Sequence, residues 1–478
     1  MAEQEMYRQL DALPNCLRYG AKQLQIRVNR ATNLVPIGSD SVTSSGSGTV
    51  RFRFPSASII DLSTISISFT STISGLVVGS AGSNFINALI PAAYKYVRRA
   101  QFYLGGVAVA GALSNQYNQV YHAFVKASTS KPYCHGKALE SYPEVSDVYD
   151  QYGTLVKAPT ATSKSAFQVI SDFLTLPKGN GGCSNMMIDT SLWNDLELQL
   201  DFDNNSILSI WQDGSADAGT AAAVAWGLAN IRLNVDVVSS IPGIYAQFIE
   251  LRSQEGNAPI RLAFQNFVSQ IALIQPTTRL QVSSTCIDGL MIATLPSNYN
   301  STVPFTGNVL VSASTDVSNP PKFNFKSPLT DTTARAAFQA SIQVGTALYP
   351  QTPYNCAYLL ADSTLNHFWH ASMMATSLLY LQSNAVTGTV ATSTVASANY
   401  VLPNFLSNNF IWVQSFSLSD GWADHNKCLS GVDTSQTNLD MLIISSGLYD
   451  NSTNYLMVGL LTSVLEYDTV VKTVRVIQ

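Results

Sequence analysis

The chain carries one passage twice, about half of its 478 residues apart. Asp189-Thr190-Ser191 opens Asp-Thr-Ser-Leu-Trp-Asn-Asp-Leu-Glu-Leu-Gln-Leu, and Asp433-Thr434-Ser435 opens Asp-Thr-Ser-Gln-Thr-Asn-Leu-Asp-Met-Leu-Ile-Ile. Further pairs recur at a similar distance. Leu24, Ile26 and Val28 match Ile260, Leu262 and Phe264, and Gly105 after Phe102 and Leu104 matches Gly345 after Ile342 and Val344. Ile231, Leu233, Val235 and Val237 are paired in the same way with the closing Val474 and Val476. A collinear set of this kind argues that one fold was duplicated and then diverged. Whatever the fold is, it must fit into about 230 residues and be usable side by side with itself, and a β-sandwich has that size.

The local pattern is that of strands. Val50, Phe52 and Phe54 alternate with Arg51 and Arg53, and Leu196, Leu198, Leu200 and Phe202 alternate with Glu197, Gln199 and Asp201. A side-chain period of two sends one set inward and the other outward. One dry and one wet face is the mark of antiparallel sandwich strands. The expected class is therefore all-β, with short strands between Gly, Asn and Ser turns.

Helical stripes are few. Tyr117, Val120, Tyr121 and Phe124 follow the spacing of an amphipathic helix, and Leu365, Phe368, Trp369 and Met373 nearly do, with Asp362 or Ser363 as N-cap. Each follows its glycine hairpin by a short distance. A third stripe, Tyr245, Phe248, Ile249 and Arg252, reads as a connector helix after the Pro242-Gly243 turn. Ser39–Ser47, Gly214–Ala225 and Val386–Asn399 are low-complexity loops. Loops leaving the same edge in both copies would build one raised surface.

Charged residues make up only 12% of the chain, while hydrophobic residues are a normal 46%. Serine, threonine, asparagine, glutamine and glycine stand in for the missing charge, which suggests extensive protein contact, because interface cores are depleted in charge. A polar, uncharged skin on an ordinary β-protein is the plainer alternative. The net charge is −5, from 26 basic and 31 acidic residues. The nearest basic clusters, Arg51 with Arg53 and Lys95 with Arg98 and Arg99, are short and interleaved with strand positions. No sequence-specific nucleic-acid binding is expected from them.

The six cysteines (16, 134, 183, 286, 356 and 428) form no Cys-x-x-Cys pair, which speaks for reduced thiols and against a zinc or redox motif. The N-terminal segment lacks the apolar stretch of a signal peptide. The Asn-x-Ser/Thr triplets at Asn204, Asn300 and Asn451 read as chance matches. Charge-free stretches from Leu62 to Tyr94 and from Ala371 to Ser419 are interrupted by polar residues every few positions, unlike a membrane span.

No catalytic, cofactor-binding or metal-binding residue is assigned. The two Asp-Thr-Ser triplets are similar to the paired loops of aspartic proteases, but both lack the glycine that tightens that turn. Asp and Thr closing a turn through backbone hydrogen bonds is the better reading. His367 and His370 lack the intervening Glu of His-Glu-x-x-His, and the five histidines include no His-x-His pair. Asp433, Ser435 and Thr437 have alternate-oxygen spacing without the glycine of a calcium loop. Gly46-Ser47-Gly48 is a flexible loop, not a phosphate cradle. Tyr349, Tyr354 and Trp422 are candidates for an aromatic sugar platform.

Four stretches, taken in order, resemble the double jelly-roll major capsid proteins of polinton-like viruses, virophages and large DNA viruses. They are Tyr96-Val-Arg-Arg-Ala-Gln-Phe-Tyr-Leu-Gly-Gly-Val107 with Asn115-Gln-Tyr-Asn118, then Ile231-Arg-Leu-Asn-Val-Asp-Val-Val238 running into Pro242. Phe338-Gln-Ala-Ser-Ile-Gln-Val-Gly345 with Leu348-Tyr-Pro350, and Ser430-Gly-Val-Asp-Thr434 with the terminal strands, complete the set. The resemblance implies two tandem eight-stranded antiparallel jelly rolls with short helices in loops. It divides the chain into an N-terminal arm (1–20), a first jelly roll (21–242), a connector (243–257) and a second jelly roll (258–478). The implied function is structural: a homotrimer of pseudo-hexagonal outline that tiles an icosahedral shell, with no cofactor. Implied partners are neighbouring capsomers, penton and minor capsid proteins, and an internal membrane at the shell base, where Met6, Leu10 and Leu13 of the arm would lie.

Overall fold

The computed structural model describes residues 27–45, 48–56, 58–79, 85–88, 90–110, 119–120, 159–170, 187–190, 195–212, 223–239, 260–295, 299, 305–308, 325, 327–328, 337–357, 367–374, 410–416, 431–435, 441–447, 449–468 and 473–477. The first half supplies β1 (Arg27–Leu34), β2 (Val42–Thr43), β3 (Thr49–Arg53), β4 (Ile59–Ser74), β5 (Ile86–Ala88), β6 (Val97–Leu104), β7 (Val107–Ala110), β8 (Ser163–Ile170), β9 (Met187–Asp189), β10 (Leu196–Phe202), β11 (Ser209–Gln212) and β12 (Ala225–Ser239). The second half supplies β13 (Ile260–Leu273), β14 (Thr277–Leu280), β15 (Ile287–Leu295), β16 (Phe305–Asn308), β17 (Ala337–Val344), β18 (Ala347–Ala357), β19 (Ile411–Ser415), β20 (Met441–Gly447), β21 (Asn454–Asp468) and β22 (Thr473–Ile477). Helix α1 (Ala93–Tyr96) and helix α2 (His367–Met374) lie between strands.

Sheet order repeats between the halves. In the first, β1-β12-β4-β8 form one sheet, with β2 and β9 attached, and β3-β10-β6-β7 the other. In the second, β13-β21-β15-β19, with β22 attached, and β14-β20-β17-β18 do the same. Set aside the short extra strands and count the rest of each half in chain order. One sheet is then first-eighth-third-sixth and the other second-seventh-fourth-fifth, in both copies. That is the strand order of two Greek keys folded into a jelly roll, and the chain has it twice, as expected.

The sequence pattern explains the layers. Val50, Phe52 and Phe54 are buried while Arg51 and Arg53 are exposed, so β3 keeps one dry face. The hairpin between β6 and β7 turns on Gly105 and Gly106, at φ 55° and 80°, with Leu104 opposite Val107. Its counterpart turns at Gly345, at φ 60°, with Val344 opposite Ala347. Positive φ in a two-residue loop matches the twist of the flanking strands and favours glycine there. In the first core Tyr96 packs edge-on between Phe69 and Trp226, at 5.7 and 5.3 Å between ring centroids.

Three sequence expectations are corrected. The counterpart of Ile231–Val237 on β12 is β21, not the stretch holding Val474 and Val476, which forms the additional strand β22 against the far end of β21. Alternation near the C-terminus is simply common to both strands. Gln199 and Asp201 are buried along with Leu198 and Leu200. Their outward face is roofed by cross-strand polar partners: Asp201 accepts from Thr49 Oγ1 at 2.9 Å, Gln199 Nε2 at 3.1 Å and Arg99 Nε at 2.7 Å. Finally, Ala225 of the expected Gly214–Ala225 loop is already the first residue of β12. The N-terminal arm, the connector helix at 243–257, most of the first helical stripe, the N-cap at Asp362 or Ser363 and the Val386–Asn399 loop lie outside the described residues.

Candidate functional site

Each jelly roll has two unlike ends. Antiparallel pairing puts both glycine hairpins at the end where β3 and β14 finish. Connections there are short or tied down. At this end of the first roll Gly105 N–H donates to Asp195 O at 3.3 Å, Phe54 N–H donates to Leu196 O at 3.0 Å, and the exposed Arg53 meets Asp195 at 2.8 Å.

The duplicated triplet supplies the tie. Thr190 is buried; its N–H donates to Ser58 O at 2.9 Å, its hydroxyl reaches Pro55 O at 2.8 Å, and Ser58 N–H donates to that hydroxyl at 2.9 Å. Thr434 repeats the scheme. Its N–H donates to Ser284 O at 2.9 Å, its hydroxyl to Val282 O at 2.8 Å, and Ser284 N–H donates back at 3.1 Å. In each copy the Thr clasps the bend between the second and third jelly-roll strands. The aspartates do other work. Asp189 closes β9 opposite Ile59. Asp433 is exposed, and its Oδ1 accepts from Ser435 N–H and Oγ at 2.8 and 2.7 Å, bonds that hold its carboxyl below the usual range. This is turn chemistry, not a shared-proton pair.

Next to the second clasp the backbone runs unusually close. Ile287 and Val432 exchange N–H···O bonds at 2.9 and 3.0 Å, and a Cβ on Gly431 would sit 2.5 Å from Ile287 O and 2.8 Å from Cys286 Sγ. Cys286 is a buried free thiol beside Asp288. Burial first, and the neighbouring carboxylate second, push it up to about 11.

The opposite end carries the long connections, 111–162 and 358–410 among them. Helix α2 plugs the second roll there. Phe368 lies fully buried with ring centroids 5.0 Å from Trp412, 5.5 Å from Phe338 and 5.8 Å from Tyr354. Ser372 Oγ lies 2.8 Å from Phe368 O and 2.9 Å from Ile411 O, and accepts from Val413 N–H at 3.1 Å, which ties the helix to β19. In the first roll the buried Gln119 donates to Lys95 O at 2.7 Å and to Asp203 Oδ2 at 3.0 Å.

At this end the two copies are stitched together. β11, from the last connection of the first roll, pairs antiparallel with β5 and parallel with β16 of the second roll. Ser209 to Gln212 lie opposite Phe305 to Asn308, four consecutive pairs. Nothing in the sequence pattern announces this seam, because its strands are only three or four residues long.

The broad faces differ as well. On the β1-β12-β4-β8 sheet, outward Thr70, Thr72 and Ser165 are partly or fully exposed, and Phe167 of β8 is 56% exposed. On the β13-β21-β15-β19 sheet the two central strands are closed on both faces: every residue of β15 except Asp288 is buried, as is every residue from Tyr455 to Ser463 of β21, while edge strand β13 is half-buried from Val268 to Ala272 and exposed at Leu273. Successive strand residues face opposite ways, so the chain itself covers both sides of these two strands.

The other sequence candidates are dispersed. His367 is exposed and its Nδ1 accepts from Asn355 N–H at 3.4 Å. Tyr349 packs edge-on against Phe416 at 5.2 Å, and Tyr354 belongs to the Phe368 cluster, where burial raises its hydroxyl. Trp422 lies outside the described residues. Asn204 caps the 3-10 turn Asn205–Ile207 by accepting from Ser206 N–H at 2.9 Å. Among the described residues no group of His, Cys, Asp and Glu could hold a metal ion, and no helix is long and apolar enough to cross a membrane.

No protein-family profile matches the chain. No curated protein sequence matches it either. Solved structures do. A chain of the PBCV-1 virus capsid is 11% identical with a TM-score of 0.50, over 94% of this chain and 96% of that one. PBCV-1 VP54, fitted into a reconstruction of the virophage Sputnik, is 11% identical with a TM-score of 0.51, over 96% and 98%. The mavirus major capsid protein is 12% identical with a TM-score of 0.45, over 98% and 93%. The first two share the double jelly-roll fold with this chain along nearly their whole lengths.

Proposed function

We propose that this chain is a major capsid protein, a structural protomer that trimerises into a pseudo-hexagonal capsomer and tiles an icosahedral shell. The observation that carries the reading is the repeat of one eight-strand order in both halves, in a chain matched end to end by PBCV-1 capsid structures. Its work is geometric. Two similar barrels per chain give six around a threefold axis, and six near-equal wedges approximate a hexagon, which packs without gaps. The β5-β11-β16 seam suits that task, because it fixes the two barrels as neighbours before any second chain arrives. The ends tied down by the two clasps suit a flat base. The ends bearing the long connections suit the outer surface.

On this reading the chain performs no catalysis and resides in the virion shell. The two jelly rolls would span 21–242 and 258–478, with the connector at 243–257 and the arm at 1–20 reaching along the base. Partners would be neighbouring capsomers, penton and minor capsid proteins, and an internal membrane under the shell. The test is the mass and outline of the purified protein, from light scattering and negative-stain averages. A species near three times 51.6 kDa with a hexagonal silhouette is the expected result. A chain that stays monomeric at high concentration overturns the proposal.

A further inference from the structure

We infer that the run Val464–Asp468 of β21 is an acceptor site for an extended peptide strand with an arginine between β-branched residues, and that β22 is its built-in occupant, a strap that comes away without unfolding the barrel. The inference stands apart from the capsomer reading, because it concerns a contact within one chain.

The first observation is a gap in the duplicated architecture. In the first roll β4 accompanies β12 almost to its end, from Ser74 opposite Ala225 to Ile59 opposite Val238, and β12 closes at Ser239. In the second roll β15 pairs with β21 only as far as Ile287 opposite Leu461, yet β21 continues to Asp468. On its other edge β21 is held by β13 throughout, down to Ile260 opposite Tyr467. Beyond β15, the strand that pairs with β21 among the described residues is β22, in five consecutive pairs from Val464–Ile477 to Asp468–Thr473. A bare edge of that length would be open to an extended chain, and here the chain fills it from its own sequence.

The second observation is the unequal burial of slot and occupant. Thr462, Ser463, Leu465 and Glu466 of β21 are buried. On β22, Thr473 and Arg475 are exposed and Val476 and Ile477 are half-buried. No described strand pairs with the far side of β22. β21 therefore belongs to the core through β13 and its own side chains, while β22 hangs on a single ladder. A segment with few buried groups and solvent-facing hydrogen bonds opens at lower free energy than the sheet on which it lies.

The third observation is a recognition element in the slot. Glu466 is 4% exposed and lies directly opposite Arg475, whose Nε donates to Glu466 Oε1 at 2.7 Å. The Arg475 side chain is 70% exposed, so the buried half of this ion pair belongs to the slot and the solvated half to the strap. Backbone pairing accepts any extended chain. A buried carboxylate midway along the slot selects a chain that brings a cation to that position, since a neutral residue there leaves the carboxylate one partner short. Val474 and Val476, in register with Tyr467 and Leu465, add the β-branched residues that favour an extended backbone.

Native-state hydrogen exchange of the unmodified chain tests whether the strap is separable. Amides of β22 are expected to exchange about tenfold or more faster than those of Tyr455–Leu461 in β21, and equal protection overturns the inference. Recognition is tested in the full chain carrying Arg475→Glu, with a fluorescent synthetic peptide of residues 471–478 as the probe. In this variant β22 should lose its remaining protection while Tyr455–Leu461 keep theirs. The peptide should then bind the variant about tenfold or more tightly than the wild-type chain, whose slot is filled, and a peptide carrying Arg475→Glu should bind neither. A variant that binds both peptides alike, or neither, overturns the acceptor site. A variant that unfolds overturns the inference as well, because a strap does not carry the barrel.

Discussion

The two sheets that hold the first and last strands of each jelly roll share one topology and meet opposite surroundings. In the first roll, β12 alternates on either side of a bulge at Asn230: Trp226, Leu228, Ile231, Leu233 and Val235 point into the barrel, while Ala225, Gly227, Arg232 and Asn234 face out half-exposed. In the second roll the same slots on β21 read Tyr-Leu-Met-Val-Gly-Leu-Leu without interruption and are buried on both sides. Strand order therefore does not decide which face is wet. The outward residues do, and duplication freed one copy to exchange them while leaving the barrel interior alone. Burying each such Leu, Val or Met on the outward side contributes roughly 1.5–3 kcal/mol, so the second roll is tied more firmly to the rest of the chain than the first.

The contrast can be broken most forcefully at Val458. A lysine there would sit in a doubly covered sheet, so Val458→Lys is expected to cost at least about 4 kcal/mol and to leave little folded protein. Thr72→Lys, on the open sheet, should change the denaturation midpoint by the equivalent of less than about 1 kcal/mol. Equal losses in urea unfolding would erase the distinction. Gly431→Ala comes next, at about 3 kcal/mol, because its Cβ would meet the Ile287 carbonyl and backbone cannot yield as a flexible side chain can.

The clasps sharpen the comparison by asking where the copies remain alike. Thr190→Val and Thr434→Val each strand a carbonyl and an N–H in the interior, and each should cost about 1–3 kcal/mol. A double variant should show the sum, as expected of distant sites. A large loss at one clasp and none at the other would mean that the repeat no longer has one function. A smaller asymmetry is set by Cys286. Its raised pKa means that the folded chain holds the thiol proton more tightly than the unfolded chain. That contribution is intact below about pH 9 and fades as pH rises toward about 11. Cys286→Ser should flatten the fall of stability between those limits, measured by urea melts at each pH. At the bottom of the scale, Asp195→Asn removes an exposed partner of Arg53 and should shift stability by no more than about 0.5 kcal/mol.

Much of the barrel architecture was legible. Period-two alternation marked β3 and β10, glycine marked both hairpins, and the Asp-Thr-Ser repeat marked equivalent corners, since each signal is a local demand of backbone geometry. Phe368 was legible as the apolar face of a helix, although its cap lies outside the described residues. The misread pairing of Ile231–Val237 with Val474 and Val476 shows the limit: two neighbouring strands can carry the same alternation, and only pairing partners tell them apart. The roofed Asp201 shows another, because a carboxylate looks solvent-bound until Thr49 and Arg99 are seen across the sheet. The seam was invisible, since four backbone pairs between distant segments place no demand on side-chain pattern. The unequal faces were half visible. The unbroken apolar run of β21 is the signature of a strand covered on both sides, while Phe167 alone among small polar residues could not be told from an ordinary surface aromatic.

That seam also bears on how the chain is made. β11 is synthesised nearly a hundred residues before β16, so on a growing chain the first barrel can close while the edge of its last connection still lacks its second-barrel strand. Completion of the seam is thus a signal that translation has passed the third jelly-roll strand of the second barrel. A chain truncated before β16 leaves one edge of β11 unpaired, where the finished chain pairs β11 on both sides. The seam thereby separates finished chains from unfinished ones by backbone hydrogen bonds alone.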